Sequence, residues 1–381
     1  MKVNNNTCVI LNFTTSLDNP KTFDYNAKVL KLDEASIKES NFFLRTKTNQ
    51  INKISQHSNI NTEKGDEILF YIRKSKNNTF TINNPIKTNN ERTENNINVL
   101  DDKLWYILKS EKNDKDCNNK DDYILNINDI IKIGSSKYEV IEKNIHNNNC
   151  HGNDNQTKYD LNKINKNSGP IFKITEIKNE VNEDGLCRIC FDGNSSEDNP
   201  KIRLCKCKDF IHYECLKFWI KTKNNIRKNT AKTVLSYYIK KFNCDVCLTP
   251  YPLFFKINGI NKQYSLVELK KPKNLNYIIL ESLDIIKYKI IHIISLNDKE
   301  ISIGTNETCD VIDRNSFISR KHAVIKYDKG DVILENRSTH LNTLVLVKNA
   351  IPINENKIDF QCGRTIISAN LKINKKKCLK K

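Results

Sequence analysis

Cys187-Arg188-Ile189-Cys190, Cys205-Lys206-Cys207, His212-Tyr213-Glu214-Cys215 and Cys244-Asp245-Val246-Cys247 form four close pairs of ligand-type side chains inside one short window. Thiolates two or three residues apart can turn back on a single metal ion, because a tight knuckle points both sulfurs the same way. Zn²⁺ takes four such ligands in a tetrahedron, so four pairs supply two complete sites. A disulfide framework is the competing explanation. It needs an even number of thiols, whereas the window holds seven of the chain's 13 cysteines and one of its 7 histidines. It also needs an oxidising compartment, and Met1-Lys2-Val3-Asn4-Asn5-Asn6 has neither the apolar core nor the small-residue cleavage site of a secretory leader. The expectation is two structural Zn²⁺ ions, each contributing on the order of 10 kcal/mol of folding free energy.

The order of these pairs resembles the RING-variant, or RING-CH, zinc finger. Cys187-Arg188-Ile189-Cys190, the single residue between Cys205 and Cys207, Trp219 four residues after Cys215, and Pro250 three residues after Cys247 all fit that family. The resemblance implies a cross-brace in which Cys187, Cys190, His212 and Cys215 share one Zn²⁺. Cys205, Cys207, Cys244 and Cys247 would share the other. It also implies an apolar groove of Ile189, Trp219 and Pro250 that receives a ubiquitin-conjugating enzyme (E2). The alternative for those three residues is the small core of the finger itself. The chain departs from the pattern in its short Cys207–His212 gap, which is similar to a PHD finger, and in its long basic Cys215–Cys244 span with Lys221, Lys223, Arg227, Lys228 and Lys232. The one-residue Cys205/Cys207 spacing, Phe242 and the position of Trp219 argue against PHD.

Within the finger, Leu216, Trp219 and Ile220 recur at i, i+3 and i+4, which predicts a helix over Tyr213–Lys223 with one face on the zinc sites. Asn224–Thr230 reads as a polar break, and Val234–Phe242 as an apolar run leading to the last ligand pair.

From Tyr288 onward, short β-branched runs such as Ile301-Ser302-Ile303, His322-Ala323-Val324-Ile325 and Val332-Ile333-Leu334 alternate with polar turns. That rhythm predicts a β-sandwich. Ile303-Gly304, Asp310-Val311, Ile318-Ser319-Arg320-Lys321-His322-Ala323 and Ser338 to Thr343 resemble a forkhead-associated (FHA) domain over about 290–375. The resemblance implies phosphothreonine-peptide binding by Ser319, Arg320, Asn342 and Thr343, with His322 bracing the loop. A phosphate dianion suits converging hydroxyl and guanidinium donors. Two family donors are replaced. Thr305 follows Gly304 where the family has arginine, and Leu341-Asn342-Thr343 stands where it has Asn-Gly-Thr. Arg314 is the candidate substitute.

Upstream, Ile68 to Ile72, Leu104 to Leu108, Tyr123 to Leu125 and Asp129 to Ile141 read as strands of a small N-terminal β-domain over 66–145, a possible degenerate FHA-like half. Residues 1–65 read as low-complexity and partly disordered, with long polar insertions at 77–98 and 144–168. The remaining boundaries are a linker over 146–180, the finger over 181–255, a connector over 256–287, the sandwich over 288–375 and a basic tail over 376–381. Cys150-His151 has no partner pair nearby. The fold class is therefore multidomain and mostly β, with a small α+β zinc finger. A RING-CH finger followed by an FHA domain is similar to a group of soluble proteins in ciliates and related protists; Tyr264 to Pro272 and Tyr277 to Leu283 also look like theirs.

Net charge is +18 and the pI about 9.2. The lysines are scattered through an Asn- and Ile-rich background, which points to a solvated basic surface rather than a nucleic-acid partner. No run of about 20 apolar residues is present, so no transmembrane segment is expected and the location reads as cytoplasmic or nuclear. With 10 glycines and neither a phosphate-cradling loop nor a nucleophile elbow, the chain offers nothing for a kinase or hydrolase. The reading is a RING-type E3 ubiquitin-protein ligase with no covalent catalytic residue, binding E2~ubiquitin and recruiting phosphothreonine-containing proteins. The alternative is a non-enzymatic scaffold with a RING- or PHD-like finger and an FHA module.

Overall fold

The computed structural model describes residues 6–17, 28, 30–46, 48, 50–55, 67–84, 103–110, 122–145, 174–178, 185–223, 226–230, 233–272, 275–283, 288–296, 300–338 and 341–374. Its strands begin with β1 (Asn6–Ser16), β2 (Leu30–Ile37), β3 (Asn41–Arg45), β4 (Ile51–Ser55), β5 (Glu67–Lys74), β6 (Phe80–Asn83) and β7 (Leu104–Leu108). Then come β8 (Tyr123–Ile124), β9 (Ile130–Ile133) and β10 (Ser136–Asn144). The finger region contains β11 (Ile174–Ile177), β12 (Lys201–Ile202), β13 (Ile211–His212), helix α1 (Tyr213–Thr222), β14 (Ile226–Thr230), β15 (Val234–Ile239), β16 (Phe254–Ile257) and β17 (Gln263–Ser265). After it run β18 (Tyr277–Ser282), β19 (Lys289–Ser295), β20 (Ile301–Gly304), β21 (Val311–Ile312), β22 (Ala323–Asp328), β23 (Asp331–Asn336) and β24 (Thr343–Leu346). The chain closes with β25 (Ile351–Ile353), β26 (Ile358–Cys362) and β27 (Thr365–Asn374).

One 12-stranded sheet runs in the order β14-β15-β19-β18-β10-β9-β24-β7-β26-β27-β1-β2. Two five-stranded sheets, β25-β6-β5-β3-β4 and β21-β20-β22-β23-β8, each pack on one half of it. The result is two β-sandwiches joined edge to edge through a shared sheet. In the first, alternate residues Val9, Leu11 and Phe13 of β1 point inward onto Phe43, Phe70, Phe80, Phe360 and Ile367, with the Phe43 and Phe70 rings stacked at 4.7 Å. In the second, Ile131, Ile133, Tyr138, Ile278, Leu280, Ile303, Ile325 and Leu334 form the core. Each buried aliphatic side chain of this kind contributes about 1.5–3 kcal/mol relative to exposure.

The two sandwiches have the same strand order. Reading outward from the middle of the large sheet, the first is β24-β7-β26-β27-β1-β2 backed by β25-β6-β5-β3-β4; the second is β7-β24-β9-β10-β18-β19 backed by β8-β23-β22-β20-β21. Every strand maps onto a counterpart: β1 to β7 correspond to β18 to β24, and β24 to β27 correspond to β7 to β10. β7 and β24 belong to both. Leu104 and Val347 pack in the first core and Leu108 and Val345 in the second, while Tyr106 touches both. The antiparallel pairing of Tyr106 with Val345 lies at the centre of the exchange.

Several sequence expectations change here. Residues 1–65, read as low-complexity, hold β1 to β4, and β1 pairs over ten residues with β27 (Asn6↔Asn374 to Thr15↔Thr365). The supposed connector contains β18, buried along its whole length because one face enters the second core and the other lies under the finger. The polar break after α1 holds β14, which pairs with β15. The expected tandem blocks 66–145 and 288–375 are interleaved instead, since β8 to β10 complete the second sandwich and β25 to β27 complete the first. Cys150-His151, the tail 376–381 and most of the polar insertions lie outside the described residues.

Candidate metal sites and phosphopeptide loop

The eight ligand-type residues come together in two groups, Cys187, Cys190, His212, Cys215 and Cys205, Cys207, Cys244, Cys247. Within each group the ligand atoms lie within 4.8 Å of one another. This is the interleaved pairing that the RING-CH resemblance implies. The β12–β13 hairpin presents His212 at the N-terminus of α1, and one turn later the helix brings Cys215 to the same point.

The two Cys-x2-Cys knuckles share a backbone device. The amide of Phe191 donates to the carbonyl of Cys187, and the amide of Leu248 to that of Cys244 (2.8 and 3.0 Å). Phe191 and Leu248 take positive φ angles of 60° and 57°. That left-handed conformation costs a non-glycine residue about 1 kcal/mol or more, so metal ligation by the preceding thiols has a strain to hold. Cys187 Sγ accepts from the amides of Ile189 and His212 at 3.4 and 3.3 Å. His212 Nε2 lies 2.5 Å from the carbonyl oxygen of Asn194. A proton on Nε2 donated to that carbonyl leaves Nδ1, 3.2 Å from Cys190 Sγ, as the ligand atom. Arg188, inside the first knuckle, reaches across to the second group, its Nη2 donating to Cys244 Sγ at 3.6 Å and to Tyr251 Oη at 3.3 Å.

The thiols are electrostatically divided. Burial pushes Cys187 up, but amides of His212, Cys190 and Ile189 outweigh it and bring it down to about 7. At Cys244 burial is outweighed by the Cys247 amide, the Tyr251 hydroxyl, the Val246 amide and Arg188, giving about 5. Cys207 is pushed up to about 12, chiefly by the neighbouring Cys247 thiol, and Cys215 to about 12 by burial and by Cys190. Crowded thiols cannot all ionise by themselves; a bound dication removes that obstacle. Soft S and N donors, four to a group, with N–H groups already aimed at sulfur, fit Zn²⁺.

The finger sits on the outer face of the second sandwich. Leu216, Ile220, Phe242, Tyr251 and Phe255 form one core with Ile141, Tyr237, Ile279 and Ile293 of the large sheet. β15, which lies between the third and fourth ligand pairs, pairs with β19 and makes the finger part of that sheet. Of the expected groove residues, Ile189 and Pro250 are exposed outside this core. Trp219 is half-buried, its ring edge-on to Tyr251 at 6.4 Å and covered by Lys223 Nζ at 4.9 Å. Sequence reasoning missed further exposed apolar side chains of the finger: Phe191 (75% exposed), Leu248 (70%), Phe218, Val246 and Leu186. The signal for the first two was available, since each directly follows the second cysteine of a Cys-x2-Cys knuckle.

At the far end of the second sandwich, Gly304 lies where a Cβ would come 2.2 Å from the carbonyl oxygen of Arg320. That close approach lets the Thr305 and Asn306 amides donate to the carbonyls of Ser319 and Arg320 (both 3.1 Å). His322 is fully buried and its Nδ1 accepts from the Ser319 amide at 3.1 Å, so it braces the loop. Burial holds its imidazole neutral, at about 4, against smaller opposing contributions from the Asn342 backbone and Asp313. Ser319 Oγ meets Ser338 Oγ at 2.6 Å, and Arg320 is exposed beside them. Asn342 is half-buried at the rim. Thr343 is placed differently from expectation: it is fully buried and donates to Asn336 Oδ1 at 3.1 Å, which makes it an anchor of the loop rather than a surface donor. Arg314 stands on the neighbouring loop in an exposed ion pair with Glu307.

The RING-variant domain family matches residues 187–247, and the FHA domain family matches residues 301–366. The chain thus combines a RING-CH finger with an FHA domain, and the FHA match runs from the second sandwich through β24 into strands of the first. Among characterised proteins, the ERAD-associated E3 ubiquitin-protein ligase DOA10 of Saccharomyces cerevisiae is 38% identical over 74 residues, 18% of this chain. That similarity spans 5% of the yeast protein's length. No solved structure matches the chain. Among the described residues, no helix is long and apolar enough to cross a membrane.

Proposed function

We propose that the chain is a RING-type E3 ubiquitin-protein ligase that recruits phosphorylated proteins through its FHA sandwich. The observation that carries this reading is the cross-braced grouping of the eight ligand residues, and the exposure of Ile189 and Pro250 supports it. Cys187, Cys190, His212 and Cys215 would hold one Zn²⁺, and Cys205, Cys207, Cys244 and Cys247 the other. Bound zinc supplies charge neutralisation of the thiolates and a rigid frame, not reaction chemistry. Ile189 and Pro250, with Trp219 at the helix edge, offer the apolar surface for an E2, and ubiquitin passes from the E2 thioester to a substrate lysine with no covalent intermediate on this chain. Ser319 and Arg320 supply a hydroxyl and a guanidinium to the phosphate of a phosphothreonine peptide, with Asn342 beside its backbone.

The test uses the full chain, loaded with zinc, in an autoubiquitination reaction with a panel of E2 enzymes. Ladders should appear with a subset of E2s and fall at least tenfold with Trp219→Ala or Ile189→Ala while both variants keep their zinc. Ladders unaffected by either substitution would refute the groove assignment. Absence of ladders with every E2 would leave the scaffold reading, which the short Cys207–His212 loop favours.

A further inference from the structure

We propose that the first sandwich reads an acidic side chain flanking the phosphothreonine, so that peptide specificity is built by both sandwiches together. This rests on the phosphopeptide reading of Ser319, Arg320 and Asn342. Where the shared sheet passes from one sandwich to the other, a cleft of about 370 Å³ opens, lined by Thr14, Ile107, Lys109, Asn342, Lys357 and Asp359 among others. All of these except Asn342 lie within or at the ends of β1 and β26 in the first sandwich and of β7, which the two sandwiches share. Asn342 belongs to the loop of the second. It immediately precedes Thr343, which pairs with Leu108, next in sequence to Lys109. The same loop carries Ser338, hydrogen-bonded to Ser319. A peptide seated at Ser319 and Arg320 and leaving past Asn342 is therefore directed toward the cleft that Asn342 lines.

The chemistry of the cleft selects charge. Asp359 accepts from Ser368 Oγ at 2.5 Å and lies between two ammonium groups, Lys109 Nζ at 3.5 Å and Lys357 Nζ at 3.8 Å. Lys109 Nζ also donates to the Lys357 carbonyl at 3.1 Å, which fixes the two lysines relative to each other. Two ammonium groups thus flank one carboxylate among the described contacts, an arrangement that suits a second carboxylate. The Lys109 and Asp359 side chains are only 22% and 16% exposed, so their charges are partly withdrawn from water, whereas the Lys357 side chain is 61% exposed and can turn to a ligand. Ile107 and Ile366 give an apolar floor for the methylenes of a glutamate or aspartate. A carboxylate that takes two ammonium donors at once makes charge-assisted hydrogen bonds, which are stronger than neutral ones.

The experiment is fluorescence anisotropy on the full chain with synthetic phosphothreonine peptides in which each flanking position in turn is Glu, Ala or Lys. At one position Glu should bind at least about fivefold tighter than Lys, a size set by one partly desolvated ion pair. The preference should shrink below about twofold in Lys109→Ala/Lys357→Ala and move toward Lys in Lys357→Glu. Lys357 lies at the surface, whereas Lys109 is partly buried beside Asp359, so unchanged circular dichroism and an unchanged urea midpoint confirm that each variant is folded. Phosphopeptide binding that depends on Arg320 but shows no acidic preference, or one indifferent to these lysines, overturns the proposal and leaves the phosphopeptide reading standing. No binding of any phosphopeptide overturns both.

Discussion

Tyr106 of β7 stands directly across from Val345 of β24, and the Tyr106 ring touches both hydrophobic cores. Tyr106 also meets Phe360 of the first sandwich edge-on at 5.8 Å and Tyr123 of the second at 6.4 Å. Truncating this residue should therefore disturb both halves at once. Tyr106→Ala is expected to cost about 2–4 kcal/mol, somewhat below the ~3–5 kcal/mol for a fully buried aromatic because Tyr106 is half-buried. Calorimetry should show one cooperative transition moved downward. Two separated transitions, with only one displaced, would mean that the sandwiches melt independently.

Zinc content should follow the cross-brace. Cys190→Ser should release one of two ions per chain, measured by atomic emission, while Trp219→Ala keeps both. Arg188→Ala leaves every ligand in place but removes the guanidinium that donates to Cys244 Sγ. Outer-shell contacts of this kind are worth roughly 10–100-fold in metal affinity. The loss should appear in chelator competition as weakening of one ion only.

Acid should weaken the fold through two buried imidazoles. His292, wholly buried and bonded to Ser236 Oγ at 2.8 Å, is lowered to about 4 by burial, against a smaller opposing effect of Asp313. His322 is lowered to about 4 as well. In the unfolded chain each takes up a proton near pH 6.5, whereas the folded chain resists until about 4. Stability is thus fully present above pH 6.5 and drains away as pH falls toward 4, by on the order of 2–3 kcal/mol for each group. Urea midpoints at pH 7.5, 6 and 5 measure the slope. His292→Asn, which keeps a polar partner for Ser236, should flatten it; an unaltered slope would remove His292 from the account.

Gly304→Ala forces a methyl group against the Arg320 carbonyl. Overpacking at a site closed by backbone should cost about 2–3 kcal/mol and displace Ser319 and Arg320. Both a lower urea midpoint and weaker phosphopeptide binding are expected. A neutral outcome in both assays would show that the loop can slide to admit the methyl.

How much of this could be read from the chain depended on whether the signal was local. The paired ligands, the helix with Leu216 and Ile220 inward, and Ser319 to His322 are set by spacing over a few residues, and each was legible. Strand partnership is not local. Nothing in Cys8-Val9-Ile10-Leu11 names β27 as its neighbour, because backbone pairing is the same for every sequence. β2 escaped notice because, as an edge strand with Leu30, Leu32 and Glu34 exposed, it needs no apolar alternation. β14 was hidden for a similar reason, a polar edge strand held by β15. Tyr277 to Leu280 reads as a linker in sequence because a strand buried on both faces carries a continuous apolar run that periodicity cannot assign.

The pairing of β1 with β27 also sets a timetable for biosynthesis. At a translation rate of ~5–20 residues per second, roughly 20–70 s separate the emergence of β1 from that of its partner. Through that interval Val9, Leu11 and Phe13 have no sheet to join on that side, while the second sandwich, complete once β24 emerges, can already close around β7. The nascent chain therefore carries β1 as an early-made, late-docking apolar strand, and chaperone occupancy measured along the elongating chain should persist there until β27 leaves the ribosome.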